Sequence, residues 1–137
     1  MRIIRDMEDS IFSKIINGDI PCHKVYEDDR VLAFLDIHPI QPGHTLIVPK
    51  CQIDHFDELE DADYTALFDA VKKIAQQQKR VFKKQRACVR IEGFDVPHAH
   101  VHVYPCDSPA DFYGPDNRAF IEPDHDALAK VAEMLSL

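Results

Sequence analysis

No stretch of this 137-residue chain approaches the roughly 18 consecutive apolar residues of a membrane-spanning helix. The opening MRIIRDMEDSIF has no long apolar core either, so no secretory signal is expected and the compartment expected is cytoplasmic. Cysteine is sparse and scattered: Cys22, Cys51, Cys88 and Cys106 form no Cys-x-x-Cys pair. They read as free thiols that serve packing, which excludes a disulfide framework. Glycine occurs only four times and no internal repeat is visible, so a flexible linker or a repeat array is excluded. Positive charge is also in deficit. With 16 Lys and Arg against 24 Asp and Glu, the net charge is -8. An acidic chain is a poor partner for nucleic acid. The one dense basic run, Lys79, Arg80, Lys83, Lys84 and Arg86, sits at a helix end, where cations suit the dipole and water solvates them.

What is present suffices for one compact domain, residues 1–137, with 45% hydrophobic residues and nine prolines. Asp9 or Ser10 can cap a short helix through Ile11, Phe12, Ile15 and Ile16, which Asn17-Gly18 stops. Strands are expected at Lys24–Glu27 and Val31–Ile37, joined at Asp28-Asp29, and at His44–Pro49 after the Pro-rich loop His38–Gly43. Apolar residues recur at helical spacing from Tyr64 through Ala75, predicting a long helix over about Ala62–Gln85. Two more strands follow, Ala87–Glu92 and Ala99–Pro105, and a short C-terminal helix begins near Asp124. The short connections predict an α+β fold with a mostly antiparallel sheet.

The chemistry concentrates in PHAHVHVY. His98, His100 and His102 alternate, and on a strand such residues share one face. The reading places Val96, Ala99, Val101 and Val103 on the opposite, core-facing side. A row of imidazoles can attack phosphorus with one ring while its neighbours donate hydrogen bonds to the phosphate oxygens, or it can hold zinc. His44 opens a strand, and His55 stands at a helix entrance. His23, His38 and His125 read as surface residues. Asp36, at a strand end, suits either a loop cap or the two hydroxyls of a ribose.

With its neighbouring segments, this string resembles the histidine triad (HIT) family, whose pattern is His-x-His-x-His followed by two apolar residues, here HAHVHVY. SIFSKIINGDIP and VYEDDRVLAFLDIHPIQPGHTLIVPK match the family's order of segments, so the resemblance covers residues 10–105 and leaves a tail, 106–137, without a family signature. It implies a five-stranded antiparallel sheet with one long and one short helix, to which the tail adds a C-terminal helix. It also implies a homodimer through the long helix and fourth strand, and hydrolysis or transfer of a nucleotide at its α-phosphate. Substrates of that class are phosphoramidates, acyl-nucleotides and dinucleoside polyphosphates. Carried over, His100 is the nucleophile that forms a nucleotidyl-histidine, His102 contacts the α-phosphate, His98 helps fix the site, and His44 is the family's fourth histidine. Asp36 holds the ribose, while Phe12, Ile15, Phe34 and Ile37 form a slot for a purine base or belong to the ordinary core.

Departures from the family pattern set further expectations. Relatives with a structural zinc carry Cys-x-x-Cys at the start and a histidine after Pro-Lys. Here these positions are Ser10, Ser13 and Gln52, so no metal or other cofactor is expected. The loop before the triad is only EGFDVP, with Phe94 and Asp95 where relatives place polar donors. Asp95 is counted with the nucleotide-binding residues, although when ionised it would repel a phosphate, so it points away, is protonated or serves another substrate. The alternatives left open are a nucleotide-binding regulator with little turnover and a zinc-binding β protein.

Overall fold

The computed structural model describes residues 8–137; residues 1–7, which carry part of the leader reading, lie outside that range. Five strands form one sheet: β1 (Lys24–Glu27), β2 (Val31–Leu35), β3 (Thr45–Pro49), β4 (Arg86–Arg90) and β5 (Val101–Cys106). Their spatial order is β1-β2-β3-β5-β4, with every neighbouring pair antiparallel. The helices are α1 (Ile11–Ile16), α2 (Asp61–Phe82), α3 (Pro109–Tyr113) and α4 (His125–Leu135).

Local chemistry explains the boundaries. The Ser10 hydroxyl accepts from the Ser13 N–H and starts α1; Gly18, at φ 84°, ends it. The Asp28 carboxylate accepts from the N–H groups of Arg30 and Val31 and closes the β1–β2 turn. α2 stops at Phe82, short of the expected Gln85, because Lys83 adopts the left-handed conformation. β2 ends at Leu35, so Asp36 and Ile37 lie in the following loop. β5 begins two residues later than expected. Its ladder with β3 stops at Ile47–Val101, and beyond that Pro49 has no N–H to offer. Instead the Ala99 N–H bonds to the Ile53 carbonyl, 2.7 Å away. α3 was not expected; Ser108 caps it by accepting from the Asp111 N–H, with Pro109 in the first turn.

Alternation along the strands divides the core. Val31, Ala33, Leu35, Ile47, Val101 and Val103 face α2 and α4, where Leu67, Ile74 and Leu135 are wholly buried. Each such side chain stabilises the fold by about 1.5–3 kcal/mol. Leu32, Phe34, Leu46 and Val48 face the other way, against Phe12 of α1. Val96 packs with this second cluster. The sequence reading put it on the side of Val101, but Val96 has the parity of the histidines. At the sheet's outer edge, the Leu137 N–H bonds to the Val25 carbonyl.

Buried Gln78 of α2 donates to the carbonyls of Gly43 and Val103, both 2.9 Å away. It thereby ties the loop before His44 to β5. Gly43 sits at φ 93°, and a Cβ there would come within 2.5 Å of the Phe82 ring. Helix and loop therefore approach as closely as the missing side chain permits.

Candidate active site

His102 lies opposite Leu46 in the β3–β5 register and so projects from the face that carries Phe12 and Phe34. His98 and His100 precede the strand but continue the same side. The Phe12 ring lies 5.8 Å from the His98 ring and 4.9 Å from that of His100; the His100 and His102 rings are 5.1 Å apart. His44 lies 5.2 Å from His102, ring to ring. The structure thus brings all four histidines into one row.

Hydrogen bonds assign a proton to each ring. The His98 carbonyl sits 2.8 Å from His100 Nδ1, so Nδ1 carries the proton and Nε2 keeps its lone pair. The Ile40 main-chain N–H donates to His44 Nδ1 at 3.0 Å, which leaves the His44 proton on Nε2. That nitrogen is 2.9 Å from His102 Nδ1 and donates to it. The His102 proton is then on Nε2. The row therefore presents a nucleophilic nitrogen on His100 beside an N–H donor on His102.

His98 plays a different part. Its Nε2–H donates to the Pro49 carbonyl at 2.7 Å, and its Nδ1 accepts from the Ser10 hydroxyl at 2.7 Å. Both nitrogens are engaged and the ring is fully buried. Ser10, Ser13 and Gln52 converge here. Gln52 Oε1 accepts from the Ser13 hydroxyl at 2.6 Å and from the Ser10 N–H at 2.9 Å, and its amide donates to the Glu8 carbonyl. The positions that the family resemblance assigns to zinc form a closed hydrogen-bonded cluster around His98.

Burial favours the neutral form of His44, His98 and His102. It pushes His44 well below the usual histidine range, helped by the neighbouring charges of His102, Arg118 and Arg90. Burial, then His100 and the same two arginines, lowers His102 to about 4. Burial also lowers His98, against the opposing Pro49 carbonyl. Asp36 moves upward through burial, opposed by the His38 N–H that donates to its Oδ1 at 2.8 Å and by the Arg118 charge. Its Oδ2 lies 3.7 Å from His44 Nε2 and 4.0 Å from an Arg118 nitrogen. Arg118 also donates to the His38 carbonyl.

Asp36, His44 and His102 together have the composition of a metal site, with ligand atoms within 4.8 Å of one another. Ligation through His44 Nε2 would move that ring's proton to Nδ1, against the Ile40 N–H. The cluster suits a hydrogen-bond relay better than a cation.

Two cavities border the row. One of about 350 Å³ opens beside His100 and is lined by Asp54, Phe56, Ile91, Glu92 and Phe94. The other, about 300 Å³, lies at the ends of β2 and β3, where Asp36, Ile37, His44 and Arg118 meet Leu128 and Val131 of α4. The expected base slot is divided between these surroundings. Phe12 and Phe34 are buried with Ile15 beside them, whereas Ile37 is 42% exposed and belongs to the second cavity. Asp95 is exposed and lines neither cavity. Asp95 has the opposite parity to the histidines, so the row's alternation does not include it. His55 starts a 3-10 turn at the first cavity, and His23 and His125 bond to each other at the surface. Sequence reasoning missed Gln78, Arg90 and Arg118; the first was visible as a polar residue continuing the Val71–Ile74 stripe.

Residues 17–108 match the family described as HIT domain. An uncharacterized HIT-like protein of Methanocaldococcus jannaschii is 44% identical over 99 residues, 69% of this chain and 77% of that one. The adenosine 5'-monophosphoramidase hnt1 of Schizosaccharomyces pombe is 37% identical over 108 residues, 76% of this chain and 77% of the relative. A crystal structure of a Hit-like protein from Bartonella henselae superposes with TM-score 0.79 at 30% identity, covering 93% of this chain and 94% of that one.

Proposed function

Because the chain belongs to the HIT family, we propose that it hydrolyses or transfers a nucleotide at the α-phosphate through a covalent nucleotidyl-histidine on His100. The observation that carries this reading is the proton arrangement of the row. The His98 carbonyl holds the proton on His100 Nδ1 and leaves Nε2 as an attacking lone pair. In the first step Nε2 bonds to phosphorus and the bond to the leaving group breaks. His100 then bears positive charge, which the His98 carbonyl stabilises through the same hydrogen bond. The Nε2–H of His102, oriented by the His44 relay, donates to a non-bridging oxygen. In the second step water or another acceptor attacks phosphorus, the P–N bond breaks, and His100 returns to its neutral form. Dividing one displacement into two is the gain of covalent catalysis.

Asp36 accepts the ribose hydroxyls in this reading, which is supported by the His38 N–H that anchors one carboxylate oxygen and by the approach of the other to His44. A purine base lies against the apolar residues Phe12, Ile15, Phe34 and Ile37, and Asp95 takes no part. The substrate is a purine nucleotide conjugate: a phosphoramidate, an acyl-nucleotide or a dinucleoside polyphosphate. The S. pombe relative's name, adenosine 5'-monophosphoramidase, supports the first of these. The working unit is a homodimer, for which the partly exposed β4 and Tyr64 on α2 provide surface.

Intact-mass and peptide analysis after mixing with a panel of nucleoside phosphoramidates tests the chemistry. A nucleotidyl adduct on His100 is the expected result. Turnover with the adduct on another residue, or turnover retained when His100 is replaced, would overturn it.

A further inference from the structure

The sheet order arranges the site along one line. Asp36 follows β2, His44 precedes β3, His102 stands on β5, and β4 lies beyond. On the proposed reading, the ribose sits at Asp36 and the α-phosphate at His100 and His102. The next part of the substrate then points across the sheet toward β4. Strands are spaced about 4.8 Å apart, roughly the reach from one phosphate to the oxygens of the next.

Arg90, the last residue of β4, stands directly opposite His102 in the β4–β5 register. Opposed residues of an antiparallel pair project from the same face, with Cβ atoms about 5 Å apart. Arg90 is partly exposed, and its guanidinium lies 4.8 Å from the centre of the Phe112 ring in α3. Phe112 is itself stacked on Tyr104 at 5.7 Å, and the Tyr104 hydroxyl donates to the Phe112 carbonyl. A ring fixed in this way holds the arginine in place but leaves its N–H groups free. Among the described residues no carboxylate pairs with Arg90, whereas Arg118 is engaged by His38 and Asp36. An unpaired arginine in a chain of net charge -8, one strand beyond the phosphate donor, has the character of an anion contact.

We propose that Arg90 is a specificity-determining residue that binds the second phosphate of the substrate. The site then favours leaving groups that begin with a phosphate over amines. This inference rests on the proposed nucleotide site but not on turnover, so binding tests it separately. The probes are the AMP/ADP and GMP/GDP pairs, titrated calorimetrically into the wild-type protein, with the tighter pair carried forward to Arg90→Gln and Arg90→Lys. The wild type is expected to prefer the diphosphate. Arg90→Gln should reduce that preference by about ten- to a hundredfold, and Arg90→Lys should restore part of it. A merely structural role would weaken both nucleotides alike. Equal losses for the two nucleotides, no loss in Arg90→Gln, or no diphosphate preference in the wild type would each overturn the assignment. A preference that depends on Arg90 in a protein that turns over no nucleotide conjugate would sink the hydrolase reading and uphold the role of Arg90.

Discussion

The two ends of the histidine row are built from similar residues to opposite ends. At His98 both ring nitrogens are bonded, to Pro49 and Ser10, and the surrounding Ser13 and Gln52 are bonded in turn. Nothing there is left to meet a ligand. At His100 and His102 one nitrogen of each ring is bonded to the protein, and the other is released with its proton state chosen. A histidine becomes chemical here not through its own character but through which of its nitrogens the main chain has occupied.

The largest effect should separate the ends outright. His100→Ala is expected to lower turnover of a nucleoside phosphoramidate at least about a thousandfold, while thermal unfolding stays close to wild type. A variant that lost folding and activity together would show that His100 belongs to the closed end. Next, the triple variant Ser10→Cys, Ser13→Cys and Gln52→His should convert the closed end into a zinc site. Ser10 already bonds His98 Nδ1 at 2.7 Å, and Ser10, Ser13 and Gln52 follow one another at 3.3 and 2.6 Å. Stoichiometric zinc and a higher melting temperature are expected; zinc bound without His98 protection would count against this convergence. Ser10→Ala alone leaves His98 Nδ1 without its donor and removes the α1 cap. Denaturant titration should show a loss of about 1–3 kcal/mol.

Acidity probes the open end. The folded His102, at about 4, lies below the ordinary histidine value of about 6.5, and His44 and His98 are lowered too. The unfolded chain therefore binds protons first. Stability is full above about pH 6.5 and declines as pH falls toward about 4. Asp36, raised by burial, works in the opposite sense above the ordinary carboxyl range and blunts the decline. A flat stability profile between pH 6.5 and 4 would show that the rings are not held neutral. The smallest effect belongs to Asp95→Asn, whose kcat/KM should stay within about twofold because an exposed charge is well screened. A large change would bring the loop back into the site.

Much of this arrangement was legible in the sequence. Alternation placed His98, His100 and His102 on one side, and helical spacing found α2, because both depend on local periodicity. The start of β5 was not, since Pro49, which has no N–H, ends that ladder only through its register with β5. Arg90 was missed for a related reason. β4 and β5 are joined by a loop of ten residues, and only their register sets Arg90 beside His102. Asp95 was grouped with the site through resemblance, but it is exposed and lines neither cavity, whereas Ile37 lines the one beside Asp36 and His44. The cap and proline of α3, Ser108-Pro109, were readable but lay in a stretch without periodicity to attach them to.

The bond from Leu137 to Val25 has a bearing on assembly. Val25 falls at the irregularity of the β1–β2 ladder, and its carbonyl is taken by Leu137, just beyond α4. One carbonyl on that border of the sheet is thus engaged, while β4, with Val89 at 44% exposure, forms the other border. Among the described residues, β4 is the border more open to strand addition by a second copy. Strand addition confined to β4 would close a pair about a twofold axis rather than run on as a filament.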